Sequence, residues 1–245
     1  MKRITYVFLL ALLLIITMDT ALAQGQDWHW FSMPTVPPHR LSGIKVGIDP
    51  GHQAHQNSQK EAVAPGSSET KMKASSGTEG VRSGVEEYVV NLQVGLKLRS
   101  ALEELGCEVY MTRTTNDVDI SNQERAKMMN ALGVDLVLRL HCDGADNSKA
   151  NGVAMYVNET GPIAYSSQSA AAALLPAMVA ATGARDAGIH LSDSYTGNNW
   201  SEVPCVMVEM GFMSNPEEDM RLVSDGYQDL LVRGMVNGIL DWFGR

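Results

Sequence analysis

Short segments with the spacing of β-strands alternate along this chain with longer segments that have the spacing of α-helices. The first strand pattern places Ile44, Val46 and Ile48 at alternate positions and ends at the turn sequence Asp49-Pro50-Gly51. A helical pattern follows from Glu87, with apolar residues every three or four positions until Gly106. This alternation predicts an α/β fold: a single domain with a mostly parallel, twisted sheet and helices on both faces.

The rest of the chain continues the same alternation. Ser121 with Glu124 is a capping-box signature for a helix that ends at Gly133, and Asn215 before Pro216 predicts another helix start. From Gln53 to Ser83 the composition is polar and shows no period, which predicts a loop of about thirty residues. The other predicted elements are strands at 107–112, 135–140, 153–157 and 205–209 and helices at 169–182 and 227–243.

The N-terminus has the pattern of a secretory signal. Lys2 and Arg3 precede an apolar run from Ile4 to Ile16, and Ala21-Leu22-Ala23 offers small residues for a signal peptidase. We therefore predict a signal peptide at 1–23, a linker or arm at 24–42, a catalytic domain at 43–245, and secretion. The apolar run is short for crossing a bilayer, and an uncleaved membrane anchor is the alternative.

Charge and cysteine content exclude several classes of protein. The formal net charge is −9 for 245 residues, and no basic run is present, which argues against a nucleic-acid partner. Cys107, Cys142 and Cys205 are an odd number and give no disulfide framework, so we expect Cys107 and Cys205 to be buried thiols. We expect a monomer.

Four side chains capable of chemistry are predicted at one edge of the sheet. In parallel sheets ligands bind beyond the carboxyl ends of the strands. His52 follows the first strand, His141 follows the 135–140 strand and Glu209 ends the 205–209 strand, while Glu87 begins the first helix. Two histidines and a carboxylate are a ligand set of open zinc sites, so His52, Glu87 and His141 are candidates to hold one Zn²⁺ ion.

Glu209 is the candidate for proton transfer. It lies in the apolar sequence Val206-Met207-Val208-Glu209-Met210, where an unpaired carboxyl group tends to have a raised pKa and suits a proton shuttle. The structural alternative is an ion pair with Arg139 or Arg185. For the metal, the alternative is that the histidines are ordinary polar residues, and His55 is a less favoured extra ligand.

Two further residues are predicted to contact substrate, and other catalytic motifs are missing. His190 near a strand end and Asn215 are the predicted substrate-binding residues. The chain has no Gly-x-Ser-x-Gly, His-Glu-x-x-His or phosphate-loop sequence. A cysteine peptidase built on Cys142 is disfavoured, because the neighbouring His141 would leave the strand in a different direction.

Four motifs follow one another along the chain: Ile48-Asp49-Pro50-Gly51-His52, Glu87 with Asn91-Leu92, Leu140-His141-Cys142-Asp143, and Val208 to Asn215. At these motifs the chain resembles the zinc-dependent N-acetylmuramoyl-L-alanine amidases of the amidase_3 type. The resemblance implies hydrolysis of the amide between N-acetylmuramic acid and the L-alanine of the peptidoglycan stem. It also assigns zinc ligation to His52, Glu87 and His141 and the catalytic carboxylate to Glu209.

The chain departs from that family in two places. Cys142-Asp143 stands where a small pair is common, and a thiol there could compete for zinc. The segment from Gln53 to Ser83 is longer than in many members. The resemblance implies a cell-wall-associated enzyme with peptidoglycan as partner, and any activator or wall-targeting partner is unknown. The alternatives are an inactive wall-binding or regulatory relative, and another secreted zinc hydrolase such as a deacetylase or peptidase.

Overall fold

A computed structural model describes residues 39–245 of the chain. The predicted signal peptide at 1–23 and nearly all of the predicted linker at 24–42 lie outside the described residues and stay predictions. Among the described helices, none combines the length and the apolar character that crossing a membrane requires.

Eight strands and six helices make up the described part. The strands are β1 (Lys45–Pro50), β2 (Asn57–Ala62), β3 (Thr70–Ala74), β4 (Glu108–Met111), β5 (Leu136–Asp143), β6 (Val153–Val157), β7 (Asp186–Leu191) and β8 (Cys205–Phe212). The helices are α1 (Glu87–Glu104), α2 (Asn122–Leu132), α3 (Ala164–Thr182), α4 (Thr196–Asn199), α5 (Pro216–Leu222) and α6 (Asp225–Trp242).

The main sheet has six strands in the order β4-β1-β5-β8-β6-β7. The first four strands of this order run parallel to one another. Strand β6 is antiparallel to β8, and β7 is parallel to β6. The prediction of a mostly parallel sheet is confirmed, and the reversal at β6 turns the last two strands against the direction of the other four.

Helices cover both faces of this sheet, as predicted. On one face α1, α3 and α6 enclose the main apolar core, to which Leu98, Leu174 and Met235 contribute from the three helices. On the other face Met129 of α2 packs directly on the backbone of β1. A Cβ atom at Gly47 would lie 2.7 Å from the Met129 sulfur, so this close approach requires glycine.

The helix-end signals in the sequence are confirmed. The Ser121 hydroxyl accepts a hydrogen bond from the Glu124 backbone N–H, and the Glu124 carboxylate accepts one from the backbone N–H of Ser121. Gly133 ends that helix in the left-handed conformation. The Asn215 side chain caps α5, with Pro216 in its first turn.

The prediction of an unstructured loop from Gln53 to Ser83 is wrong, because the segment contains an antiparallel hairpin of β2 and β3. The sequences of these strands, NSQKEA and TKMKA, are largely solvent-exposed. A hairpin with little apolar burial lacks the alternation of apolar residues by which strands are recognised, so the sequence carried no period-two signal. The hairpin forms one wall of the cavity described below.

A buried ionic cluster lies under the carboxyl edge of β1. The Asp49 carboxylate accepts from Arg125 at 2.9 Å and from Arg139 at 3.0 Å, and all three residues are at most 5% exposed. Burial alone would raise the pKa of Asp49, but the two arginines and the Thr112 hydroxyl outweigh it and hold this pKa well below its usual range. Asp49 is therefore ionised at neutral pH and links β1 to β5 and α2.

Replacing Asp49 with asparagine should lower the free energy of unfolding by about 3–5 kcal/mol, because Arg125 and Arg139 would be left buried without their counter-charge. Urea denaturation followed by circular dichroism measures the change. Asp241→Asn, at an exposed position on α6, is the matched control and should change stability by less than about 0.5 kcal/mol. A similar small change for Asp49→Asn would contradict the interpretation.

The pH dependence gives a second measurement on the same variant. Since the pKa of Asp49 is lower in the folded protein, its contribution to stability is present above its unfolded pKa of about 3.9 and is lost as pH falls below it. Below about pH 4, stability should therefore fall less steeply in Asp49→Asn than in the wild type. If the plots of unfolding free energy against pH had the same slope in both proteins, Asp49 would not titrate as described.

Candidate active site

The four residues predicted at the sheet edge meet in one cavity. His52, Glu87, His141 and Glu209 all line a cavity of about 740 Å³ at the carboxyl edge of β1, β5 and β8. Two of these strands continue past the predicted ends, so that His141 and Glu209 are paired neighbours within β5 and β8 rather than residues at strand ends. The sheet therefore fixes these two side chains next to each other on the same face.

His52 is held by an unusual turn after β1. Its backbone is in the left-handed region, with φ of 61°, and it is the one non-glycine residue with positive φ in residues 39–245. The Arg125 guanidinium donates to the carbonyl oxygens of Pro50 and His52, at 2.9 and 3.0 Å. Arg113 donates to the carbonyl oxygens of Pro50 and Gly51. These buried donors hold the turn in a conformation that the sequence alone would disfavour.

The hairpin segment sets the orientation of the His52 ring. The ring Nδ1 lies 3.1 Å from the Ser75 carbonyl oxygen and 2.9 Å from the Ser75 hydroxyl. A proton on Nδ1 donated to that carbonyl leaves Nε2 as a lone-pair donor. Metal-binding histidines in proteins are oriented by this kind of hydrogen bond.

Glu87 is the first residue of α1, where the helix dipole favours a negative charge. Its Oε1 atom accepts from the Cys142 backbone N–H at 3.0 Å and from the Asn91 amide at 3.1 Å, and its Oε2 atom accepts from the Thr78 backbone N–H at 3.0 Å. Burial opposes ionisation, but the close contacts with the His141 and His52 imidazoles outweigh it and hold the pKa of Glu87 well below its usual range.

His141 packs against the backbone of the β1 turn. A Cβ atom on Gly51 would overlap its imidazole ring, so this approach requires glycine at position 51. Burial lowers the pKa of His141 to about 4, which leaves the imidazole neutral at neutral pH. The neutral imidazole is the form that binds metal ions.

The three candidate ligand atoms form a triangle that fits a tetrahedral ion. The His141 Nδ1 atom lies 3.1 Å from the His52 Nε2 atom and 3.2 Å from the Glu87 Oε1 atom, and the latter two are 3.3 Å apart. Donors about 2.0–2.1 Å from a tetrahedral zinc ion are about 3.3–3.4 Å from one another. Within residues 39–245, His52, Glu87 and His141 are the group of side chains that could hold a metal ion.

Glu209 differs from Glu87 in its surroundings. It is 8% exposed, and its Oε2 atom is buried without a hydrogen-bond partner in the described residues. Burial raises the pKa of Glu209 well above its usual range, and the charges of Glu87 and Asp143 act in the same direction. The alternative of an ion pair with Arg139 or Arg185 is not realised within residues 39–245: the Arg139 guanidinium donates to Asp49, and no salt bridge joins Arg185 to Glu209.

The two residues predicted to contact substrate, His190 and Asn215, are not among those that line the cavity. His190 is exposed on β7, where its ring stacks on Tyr156 and contacts the Ala187 carbonyl, and it is not among the residues lining the cavity. The Asn215 side chain accepts from the backbone of α5 and donates to the Ala150 carbonyl oxygen. The structure thus gives Asn215 a capping role, and substrate binding by either residue stays a prediction.

Two other candidate ligands are accounted for. The His55 ring faces Asp117 at 3.2 Å on the exposed surface and is not part of the triangle. Cys142 belongs to the apolar core, and burial raises the pKa of its thiol well above the usual range. Its sulfur is not among the ligand atoms that form the triangle. As expected, Cys107 and Cys205 are buried free thiols.

The sequence reasoning missed the residues that the hairpin segment supplies. Ser75 and Thr78 bind the candidate ligands, and Gly77 has a positive φ and leaves room for them: a Cβ there would lie 2.5 Å from Glu87 Oε2. None of these residues belongs to a periodic pattern. Gly77 was the one local signal in this segment. Its role becomes visible only when Glu87, from another part of the chain, is placed beside it.

Comparison with known proteins gives a consistent result. The family model described as Amidase_3, N-acetylmuramoyl-L-alanine amidase, matches residues 46–241. An N-acetylmuramoyl-L-alanine amidase of Mycobacterium tuberculosis, Rv3717, is 31% identical over 220 residues, which cover 83% of this chain and 90% of that protein. CwlM of the same organism is 27% identical over 82% of this chain and 45% of its own length.

Solved structures share the fold. The amidase Ami1 from Mycobacterium smegmatis superposes with a TM-score of 0.77 at 25% identity, over 83% of this chain and 98% of that one. An N-acetylmuramoyl-L-alanine amidase from Clostridium difficile 630 superposes with a TM-score of 0.70 at 26% identity, over 82% of this chain and 97% of that one.

Replacing Gly51 with alanine should displace the His141 ring and break the triangle of ligand atoms, because the new methyl group would occupy the position of the imidazole. Calorimetric titration of the metal-free protein with Zn²⁺ should show at least about a tenfold loss of affinity. Gly226→Ala is the control, since nothing lies within 4 Å of a Cβ atom there. Unchanged affinity in Gly51→Ala would contradict the described packing.

Proposed function

The chain belongs to the amidase_3 family and is an N-acetylmuramoyl-L-alanine amidase, a cell-wall hydrolase, and from that premise we propose how its residues carry out the reaction. The bond cleaved is the amide between the lactyl group of N-acetylmuramic acid and the L-alanine of the stem peptide. His52, Glu87 and His141 hold one Zn²⁺ ion, and Glu209 transfers protons. The observation that carries this proposal is the triangle of donor atoms with sides of 3.1–3.3 Å beside Glu209, whose buried Oε2 atom has no hydrogen-bond partner within residues 39–245.

Zinc, when bound, supplies Lewis acidity at the point where the scissile carbonyl and the attacking water meet. The protein holds the three ligands before any ion arrives. Ser75 orients His52, while the backbone N–H groups of Cys142 and Thr78 and the Asn91 amide orient Glu87. This preorganisation favours binding, because little side-chain ordering is left to occur when the ion enters.

Glu209 carries the proton through the reaction. Water adds to the carbonyl carbon and gives a proton to the Glu209 carboxylate; the C–N bond then breaks, and the same proton passes to the nitrogen of the leaving L-alanine. A group that both accepts and donates is most effective when its pKa lies near the working pH. The burial of Glu209 supports this role, because it raises the pKa of this carboxyl group from the usual range of a glutamate.

The family implies action outside the cytoplasm on peptidoglycan. Secretion through a signal peptide at 1–23 is our proposal from the sequence, as is the domain from 43 to 245. An inactive relative is disfavoured by the presence of all four side chains in one cavity. A zinc deacetylase or peptidase would use the same ligand types, and the products distinguish these activities.

Metal content tests the ligand set. The wild type should bind one zinc ion per chain, and His141→Ala should reduce this to below about 0.2 under the same dialysis, because two of the three ligands do not make a tight site. His55→Ala is the matched control and should keep one ion, since His55 pairs with Asp117 on the surface. Elemental analysis measures both. Equal zinc in the two variants would refute the assignment.

Glu209→Gln tests the proton carrier. It should keep the zinc ion but lower kcat by about 10²–10⁴-fold, because an amide can neither accept nor return the proton. Purified peptidoglycan is digested, and the products are separated and analysed by mass spectrometry. The wild type should release stem peptides with free N-terminal alanine and leave the glycan intact. Deacetylated sugars or cleaved stems would instead indicate a different hydrolase.

A further inference from the structure

The cavity has an uneven distribution of charge. Four carboxylates line it: Glu87, Glu209, Asp143 and Asp146. Of the residues 39–245 that line it, two carry a lysine or arginine charge, Lys71 and Arg139. The proposed zinc ion is taken up by the scissile amide, so an anionic group elsewhere on the substrate would have to pair with one of these two side chains.

The Arg139 guanidinium is almost completely buried and bonded within the protein. It is 5% exposed and donates to Asp49 at 3.0 Å, to the Asn198 amide oxygen at 3.2 Å and to the Asn122 amide oxygen at 3.1 Å. Three of its five N–H groups are thus engaged, and little of its surface is open to a ligand. Lys71, which is exposed, is the more accessible of the two cations.

Lys71 extends from β3 of the hairpin to the opposite wall of the cavity. Its ammonium nitrogen lies 2.6 Å from the carbonyl oxygen of Ser194, just before α4. Within residues 39–245 no carboxylate oxygen comes within the 4.0 Å of a salt bridge to it. Its cross-strand neighbour Glu61 instead accepts from the Gln123 backbone N–H. An ammonium group has three N–H donors, so two remain for a ligand at a fixed point of the cavity.

We propose that Lys71 is a specificity-determining residue that binds a free carboxylate of the peptidoglycan stem peptide. This inference rests on the proposed function, since that function brings a stem peptide into the cavity. The residues of the stem after L-alanine can bear free carboxylates, which are neutral when amidated. An ammonium group held in place pairs with a carboxylate, whereas a carboxamide offers it only a neutral oxygen. The enzyme should therefore prefer substrates with a free carboxylate.

The preference is measured with pairs of soluble muropeptides that differ in one group. In the first pair, one muropeptide has a carboxylate and the other a carboxamide at the second stem residue. In the second pair, the same difference is at the third stem residue. The wild type should cleave the carboxylate form of at least one pair with a kcat/KM about three- to fivefold higher, mainly through a lower KM. Lys71→Gln should reduce this ratio to about 1, and Lys71→Arg should keep most of it.

Lys73→Gln is the matched control for charge. Lys73 lies on the same strand, bonds Gln59 at 2.9 Å and does not line the cavity, so its removal should leave the ratio at the wild-type value. If Lys71 only tied the hairpin to the Ser194 loop, Lys71→Gln would slow both members of a pair equally and the ratio would persist, which would overturn the inference. Thermal denaturation verifies that each variant is folded.

The two proposals fail in different ways. A wild-type enzyme that cleaves both members of each pair equally would overturn the role of Lys71 and leave the proposed amidase mechanism standing. A wild-type enzyme that cleaves neither member would overturn the proposed function and this inference with it. The preference should also shrink as NaCl is raised from about 0.05 to about 0.5 M, since salt screens an accessible ion pair. A preference independent of salt would contradict an ionic origin.

Discussion

The active site depends on buried guanidinium groups that hold the backbone after the first strand. Arg113 and Arg125 donate to the carbonyl oxygens of Pro50, Gly51 and His52. Backbone carbonyls in a buried turn need donors of this kind, because the irregular backbone provides few of its own. Because the donors come from two other parts of the chain, the left-handed conformation of His52 is imposed by tertiary structure, and with it the position of the first candidate ligand.

Glu87 and Glu209 lie in different surroundings, which favour different protonation states of the two carboxyl groups. Glu87 accepts three hydrogen bonds at its two oxygens, from the backbone N–H groups of Cys142 and Thr78 and from the Asn91 amide, and these favour the charged form. Glu209 has a buried oxygen without a partner in the described residues, which favours the neutral form. One carboxyl group is thus suited to hold a cation and the other to exchange a proton, although both lie in the same cavity.

The hairpin of β2 and β3 contributes to the site in two ways. Ser75, just after β3, orients His52, and Lys71 within β3 places a cation at the cavity. Since little apolar surface is buried in its strands, the hairpin is held by polar contacts such as those of Lys71 with Ser194 and of Asn122 with the Lys73 carbonyl. Orientation of the first candidate ligand and the substrate selection that we propose for Lys71 are therefore linked through one surface element.

The sequence by itself determined the fold class, the helix ends and the grouping of the site residues. Apolar periodicity and capping residues report local structure. The carboxyl ends of parallel strands lie at the same edge of a sheet, so the positions of His52, Glu87, His141 and Glu209 relative to the predicted strands and the first helix were enough to group them. Only the tertiary structure decided that Arg139 pairs with Asp49 instead of Glu209, that Asn215 caps a helix and that His190 does not line the cavity. It also revealed the hairpin, whose strands lack an apolar period. These features depend on contacts between residues far apart in the chain, and local spacing carries no information about such contacts.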